Sequence, residues 1–191
     1  MRTSRFKLAL SAAILATSAG AFAAPTPAML SNACAGCHGT NGGSAGPSMP
    51  SLSSQSKEAI VTAMKKFKSG ERPSSIMGRI AKGYSDADFA AMGEFFSKKK
   101  LHATNQALDP AKVARGKSLE EASCSRCHME GGREGKDDSP VMASQWLPYL
   151  HMQMGMYLTG ERKMPEKMAE KVKPLSRQDL DALLHFYASQ K

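Results

Sequence analysis

Apolar side chains along this chain recur with helical rather than strand spacing. Ile60, Met64 and Phe67 fall at i, i+4 and i+7 behind Ser56, a residue type that caps helix starts, and Gly70 supplies a stop. Ser85 and Asp88 form a capping-box start for another helix with Phe89, Met92 and Phe96 on one face. Leu147, Leu150, Met154 and Tyr157 make a further stripe ending at Gly160, and Ser176 with Asp179 opens a last helix carrying Leu180, Leu183, Leu184 and Tyr187. Asp109-Pro110 opens a helix running towards residue 124, and a shorter version occupies 27–33. Neither half of the chain shows convincing strand alternation, so the pattern predicts an all-α protein. The first residues read as an address instead. Arg2, Arg5 and Lys7 precede an apolar stretch over 8–18, and Ala21-Phe22-Ala23 offers the small residues a signal peptidase reads. A leader over 1–23 is expected, with export to the periplasm and no transmembrane segment, because no stretch approaches ~20 apolar residues.

The same elements occur twice. At an offset of 90 residues, eleven positions between 34 and 72 are identical: Cys34, Cys37, His38, Gly42, Pro50, Ser54, Gln55, Met64, Gly70, Glu71 and Arg72 meet Cys124, Cys127, His128, Gly132, Pro140, Ser144, Gln145, Met154, Gly160, Glu161 and Arg162. One inserted residue later the register resumes at 91, pairing Met77 with Met168, Ser85 with Ser176, Asp88 with Asp179 and Phe95 with Phe186. The chain therefore reads as two copies of one module, 24–101 and 102–191, joined by a polar stretch over about 98–109.

Charge changes this picture little. Removing Arg2, Arg5 and Lys7 with the leader lowers the formal charge from +9 to +6. A mildly basic, solvated surface suits an acidic redox partner better than a nucleic acid. The four cysteines change it more, because all lie in two C-x-x-C pairs. Such pairs form disulfides in oxidising compartments, or redox and zinc sites elsewhere. The next residue decides: it is His38 in the first copy and His128 in the second. Two thiols placed for thioether bonds beside one imidazole are the c-type haem-attachment pattern. A zinc site of all four cysteines is disfavoured, since the pairs stand 87 residues apart. Each module is small for its core, and a covalently attached porphyrin is expected to supply much of its apolar interior.

Each histidine is expected on one axial face of its iron, with a second ligand from the same module. Thioether side chains fill core gaps by default, and Met64 and Met154 sit on apolar stripes, which assigns them to packing. Met77 and Met168 instead follow their histidines by 39 and 40 residues, in segments between helices, and are the expected second ligands. Met164 is the rival to Met168, although the repeat places it against Pro73. His/Met ligation fills the sixth position and reads as electron transfer rather than oxygen or peroxide chemistry. His102 is expected solvated in the linker, and His151 and His185 structural or on the surface. Pro50 and Pro140 each lie twelve residues after the histidine. Their carbonyls either accept the ligand's Nδ1–H or belong to rigid turns over the haem edge. Trp146 and Tyr149 have no match in the first copy; they contact a haem edge or simply pack.

On these residues the chain resembles class I cytochrome c. More narrowly, it is similar to the dihaem cytochrome subunit of flavocytochrome c sulfide dehydrogenase, through residues 29–52 (MLSNACAGCHGTNGGSAGPSMPSL), 67–89 (FKSGERPSSIMGRIAKGYSDADF), 145–150 (QWLPYL) and 180–190 (LDALLHFYASQ). It departs from that family around Met164-Pro165. The resemblance implies two tandem class I cytochrome c-like domains with one covalent haem c each. It also implies an FAD-containing partner subunit that oxidises sulfide to sulfur or polysulfide, and a soluble cytochrome c acceptor. The chain has no flavin-binding Gly-rich fingerprint and its cysteines are committed to haem, so it is not expected to be catalytic alone. Two other readings share the motifs: a free-standing dihaem carrier serving a terminal oxidase, and a dihaem peroxidase, which needs an open iron position.

Overall fold

A computed structural model describes residues 24–191; the expected leader over 1–23 lies outside the described residues. Most of the longer helices begin where a side-chain oxygen satisfies otherwise free N–H groups. In the first copy, α1 (Pro27–Asn32) starts with the Thr26 hydroxyl accepting from Met29 N–H at 3.2 Å and with proline at its first position. It leads directly into the single turn α2 (Ala35–His38). Ser56 caps α3 (Lys57–Ser69), which ends at Gly70 with φ 83°, a left-handed geometry that suits glycine. The one-turn α4 (Met77–Ile80) precedes α5 (Asp86–Ser97), which opens on a full capping box of Ser85 and Asp88.

The second copy repeats the plan. Asp109 caps α6 (Pro110–Ser123), the short irregular α7 (Met129–Gly132) follows the second cysteine pair, and α8 (Leu147–Leu158) matches α3. Next come α9 (Glu166–Val172) and α10 (Arg177–Ser189), the latter opening on the capping box of Ser176 and Asp179. One feature has no helical signature: His128 and Met129 bridge antiparallel to Gly135 and Glu134, forming the two-residue β1 (Glu134–Gly135).

Two separate cores result. In the first, Phe89, Met92 and Phe96 of α5 pack with Ile60 and Met64 of α3. In the second, Leu180, Leu183, Leu184 and Tyr187 of α10 pack with Leu150 of α8. Met64 is buried and Met154 packs against the second core, as their places on apolar stripes predict. Close approach of α6 to α10 depends on Gly116, where a Cβ would run into the Ala182 carbonyl and the Phe186 side chain.

The copies face each other through equivalent residues. The Gln55 side chain accepts from Val141 N–H at 2.9 Å and donates to Val141 C=O at 2.8 Å. Gln145 treats Ser51 in the same way, at 2.9 Å for both bonds. Ser51 and Val141 are themselves repeat partners, so the contact is self-complementary like that of a symmetric dimer. All four residues are buried, so each bond satisfies a group that would be costly to leave unpaired. Trp146 adds an indole N–H donated to the Ser44 carbonyl at 2.9 Å, so its role is contact between the copies. The joining segment is fastened too. Thr104 donates its N–H to Ser144 Oγ at 2.9 Å, and Gln106 accepts from Leu147 N–H at 2.8 Å.

Gly116→Ala should destabilise the folded protein by about 1–3 kcal/mol through overpacking, measured by urea denaturation. Gly155→Ala, where a Cβ meets nothing within 4 Å, should be neutral or slightly stabilising.

Candidate functional site

Each C-x-x-C-H segment is a hydrogen-bonded turn closed on its first cysteine, helical in the first copy and leading into the His128 bridge in the second. The N–H groups of Cys37 and His38 both donate to Cys34 C=O, at 3.2 and 2.9 Å. Those of Cys127 and His128 donate to Cys124 C=O, at 3.1 and 3.0 Å. This folding puts two thiols and an imidazole on a single turn. All four cysteines are free thiols, with Cys34 packed against the first core and Cys124 against the second. Burial pushes both of these thiols above the usual cysteine range. Among the described residues, no three His, Cys, Asp or Glu groups gather as a metal cage.

The chain then returns to each histidine. His38 Nδ1 lies 2.9 Å from the Pro50 carbonyl, and His128 Nδ1 lies 3.3 Å from the Pro140 carbonyl. A carbonyl only accepts, so Nδ1 carries the hydrogen and Nε2 keeps its lone pair. Burial lowers the basicity of both rings, opposed more weakly by these hydrogen bonds, which favours the neutral, metal-binding imidazole. The return path rests on Gly42 and Gly132, each at φ 81°. Gly42 C=O accepts from Leu52 and Ser53 N–H, and Gly132 C=O from Met142 and Ala143 N–H. A Cβ at either glycine would meet the ring of Phe96 or of Tyr187 at 2.9 or 2.7 Å.

The methionines sit differently from the sequence expectation of loops between helices. Met77 is the first residue of α4, held by its N–H on Ser74 Oγ at 3.1 Å, and packs against the first core. Met168 lies within α9, half-buried and outside the second core cluster. Met164, also half-buried, precedes Pro165, which stands at the N-cap of α9. The expectation failed locally because the segments carry too few apolar residues to declare short helices.

The other histidines make protein contacts. His102 is exposed, its ring close over Gly43. His151 Nε2 is 3.1 Å from the Asp181 carboxylate. Buried His185 accepts from Asp109 N–H at 3.2 Å. A cationic pair that sequence reasoning did not single out also links the two copies. Arg72 donates to Gln153 Oε1 at 3.1 Å; Arg162 donates to the same oxygen and to Pro73 C=O at 3.2 Å. Arg72 stacks on Phe67, its guanidinium carbon 4.9 Å from the ring centroid. Burial, together with Arg72, lowers the Arg162 pKa, and burial raises that of neighbouring Tyr149. The repeated Gly-Glu-Arg triplets carried a signal for the arginines, but not for their convergence on Gln153.

Residues 24–106 match the family model for cytochrome c, and residues 111–186 match that for cytochrome c oxidase, cbb3-type, subunit III. The chain is therefore a tandem of two cytochrome c domains, mostly helical, a dihaem cytochrome c that carries electrons. The free thiol pairs and the available Nε2 of each histidine fit haem c, which when bound carries one electron as its iron alternates between ferric and ferrous.

A stretch of 49 residues is 45% identical to the cytochrome subunit of sulfide dehydrogenase from Chlorobaculum tepidum, covering 25% of this chain and 44% of that protein. Among solved structures, cytochrome c4 from Pseudomonas stutzeri superposes with a TM-score of 0.72 at 24% identity, over 83% of this chain and 94% of that one. Cytochrome c4 from Acidithiobacillus ferrooxidans gives 0.73 at 22% identity, over 83% and 99%. The thiosulfate dehydrogenase TsdBA from Marichromatium purpuratum gives 0.72 at 26% identity, over 83% of this chain but 36% of that one. Among the described residues, no helix is long and apolar enough to cross a membrane.

Proposed function

We propose that this chain is the cytochrome subunit of a flavocytochrome c sulfide dehydrogenase, exported to the periplasm after loss of 1–23. In this reading it divides at about 98–109 into domains 24–101 and 102–191. Haem is attached through Cys34 and Cys37 in the first and through Cys124 and Cys127 in the second. The irons are held by His38 with Met77 and by His128 with Met168, while the Pro50 and Pro140 carbonyls orient the imidazoles. An FAD-bearing partner oxidises sulfide, and this chain accepts the flavin's electrons and passes them to a soluble cytochrome c. The observation that carries the reading is the 45% identity over 49 residues with a sulfide dehydrogenase cytochrome subunit. The stoichiometry supports it: sulfide to sulfur releases two electrons, and two haems hold one each.

Held by its hydrogen-bonded turn and a prolyl carbonyl, each histidine would offer Nε2 to an iron, and a second ligand would come from a segment distant in sequence. Met77 packs on the same core as Cys34, which supports its assignment to the first domain. Met168, half-buried in α9, is the proposed counterpart in the second domain.

Purification of the native protein should bring down a flavoprotein in a complex containing both FAD and haem. An isolated monomer fully competent in feeding a terminal oxidase would favour the free-standing carrier instead. Met77→Ala and Met168→Ala should each remove the weak sulfur-to-iron charge-transfer band of one ferric haem, read by absorption spectroscopy. Loss of that band in Met164→Ala, with Met168→Ala unaffected, would move the second ligand to Met164.

A further inference from the structure

Because the two domains are copies, a buried ionisable group present in only one of them marks something only one haem site does. Two such groups lie together in the second copy. Glu120 of α6 corresponds to Leu30, and Tyr187 of α10 corresponds to Phe96. Leu30 packs against the first core and Phe96 is 2% exposed, so neither position carries an ionisable group in the first copy. In the second copy Glu120 and Tyr187 are each 3% exposed; Glu120 Oε1 has no hydrogen-bond partner, and the Tyr187 hydroxyl has only the Cys124 thiol beside it. Two neighbouring positions exchanging apolar for ionisable residues, with a buried carboxyl oxygen left unsatisfied, is a cost that core packing alone does not explain.

Both residues flank the second attachment turn. Glu120 C=O accepts from Cys124 N–H at 2.8 Å, and the Tyr187 ring meets His128 edge-on at 5.8 Å between centroids. The carboxyl also has a way to water. Glu120 lines an open cleft of about 390 Å³ together with Lys117, Arg133 and Gln190. The charged and titratable groups facing it are Glu121 and Lys117 of its own helix, paired at 3.8 Å; Tyr187 and Cys124 on the inner side; Arg133 across the cleft; and Lys171 of α9 beyond Cys124. Burial, aided by Glu121, pushes the Glu120 carboxyl above the usual carboxylate range.

We propose that Glu120 is a proton acceptor coupled to reduction of the second haem, a function the first domain lacks. The inference rests on the reading that haem is attached at Cys124 and Cys127. When the second site gains an electron from its donor, the nearby positive charge falls by one. The Glu120 carboxylate then binds one proton from water in the cleft, and releases it when the electron leaves. One electron and one proton enter together, and no bond to the cofactor forms or breaks. Tyr187, held neutral by burial, keeps bulk water away from the inner side. In the first domain Leu30 offers no acceptor, so electron transfer there is uncoupled from Glu-type protonation.

The test is potentiometric titration of the mature dihaem protein from about pH 5 to 8, with each midpoint followed separately. One midpoint should fall as pH rises, towards the limit of a tenfold change in the reduction equilibrium per pH unit, about 59 mV, while the other changes less. Glu120→Gln, and equally Glu120→Leu, should flatten the steeper midpoint and leave the other in place; Tyr187→Phe should retain the slope. A slope surviving in Glu120→Gln assigns the proton to the haem carboxylates and overturns the proposal, as does an equal slope at both haems. A chain holding only one haem, with Cys124 and Cys127 in a disulfide, would overturn the second haem site itself, an outcome visible from haem content before any titration.

Discussion

Each domain is organised around one constraint: an imidazole must present a bare Nε2 while its Nδ1–H is held elsewhere. The Pro50 and Pro140 carbonyls meet it, because an oxygen that can only accept dictates which nitrogen keeps the hydrogen. Reaching the histidine again twelve residues later requires the chain to fold back tightly. The left-handed glycines at 42 and 132 make the fold-back, and their carbonyls close it on the following segment. The aromatic rings of Phe96 and Tyr187 leave no room for a Cβ there, so the terminal helix of each domain helps hold its own histidine loop. Helix packing and site geometry are in this sense one problem.

Duplication then supplies the interface. Gln55 and Gln145 each use both ends of an amide to satisfy a buried backbone pair in the other copy, and the pairs they satisfy are related by the same repeat. Such contacts leave little freedom for one domain to slide, because each displacement strands buried donors and acceptors on both sides. Trp146 and the paired arginines around Gln153 widen the contact. Under the proposed function, the two sites joined by this interface would take up the two electrons of a substrate oxidised on another chain.

Much of this was legible in the sequence. The helices over 57–69, 86–97, 110–123 and 177–189 follow from caps and apolar spacing, since local side chains satisfy local N–H groups there. The twelve-residue spacing to Pro50 and Pro140 left two readings open, and the structure brings each carbonyl within hydrogen-bonding distance of its histidine Nδ1. Less was legible where contacts are long-range. Ser54-Gln55 and Ser144-Gln145 stood out only as identities, because a glutamine's backbone partner 86 or 94 residues away leaves no local pattern. The short helices around Met77 and Met168 escaped notice for want of an apolar face. Nothing in the sequence singled out Glu120, and only its burial sets it apart.

The domains are thus copies in backbone and attachment chemistry but not in the polarity behind the second cysteine pair, where Glu120 and Tyr187 replace Leu30 and Phe96. That asymmetry gains meaning only if both turns carry haem. Mass spectrometry of the mature protein and its proteolytic fragments tests this most directly. Two covalent haem additions are predicted, one on the peptide containing Cys34 and Cys37 and one on that containing Cys124 and Cys127. A single addition, or a disulfide within either pair in the mature protein, would contradict it.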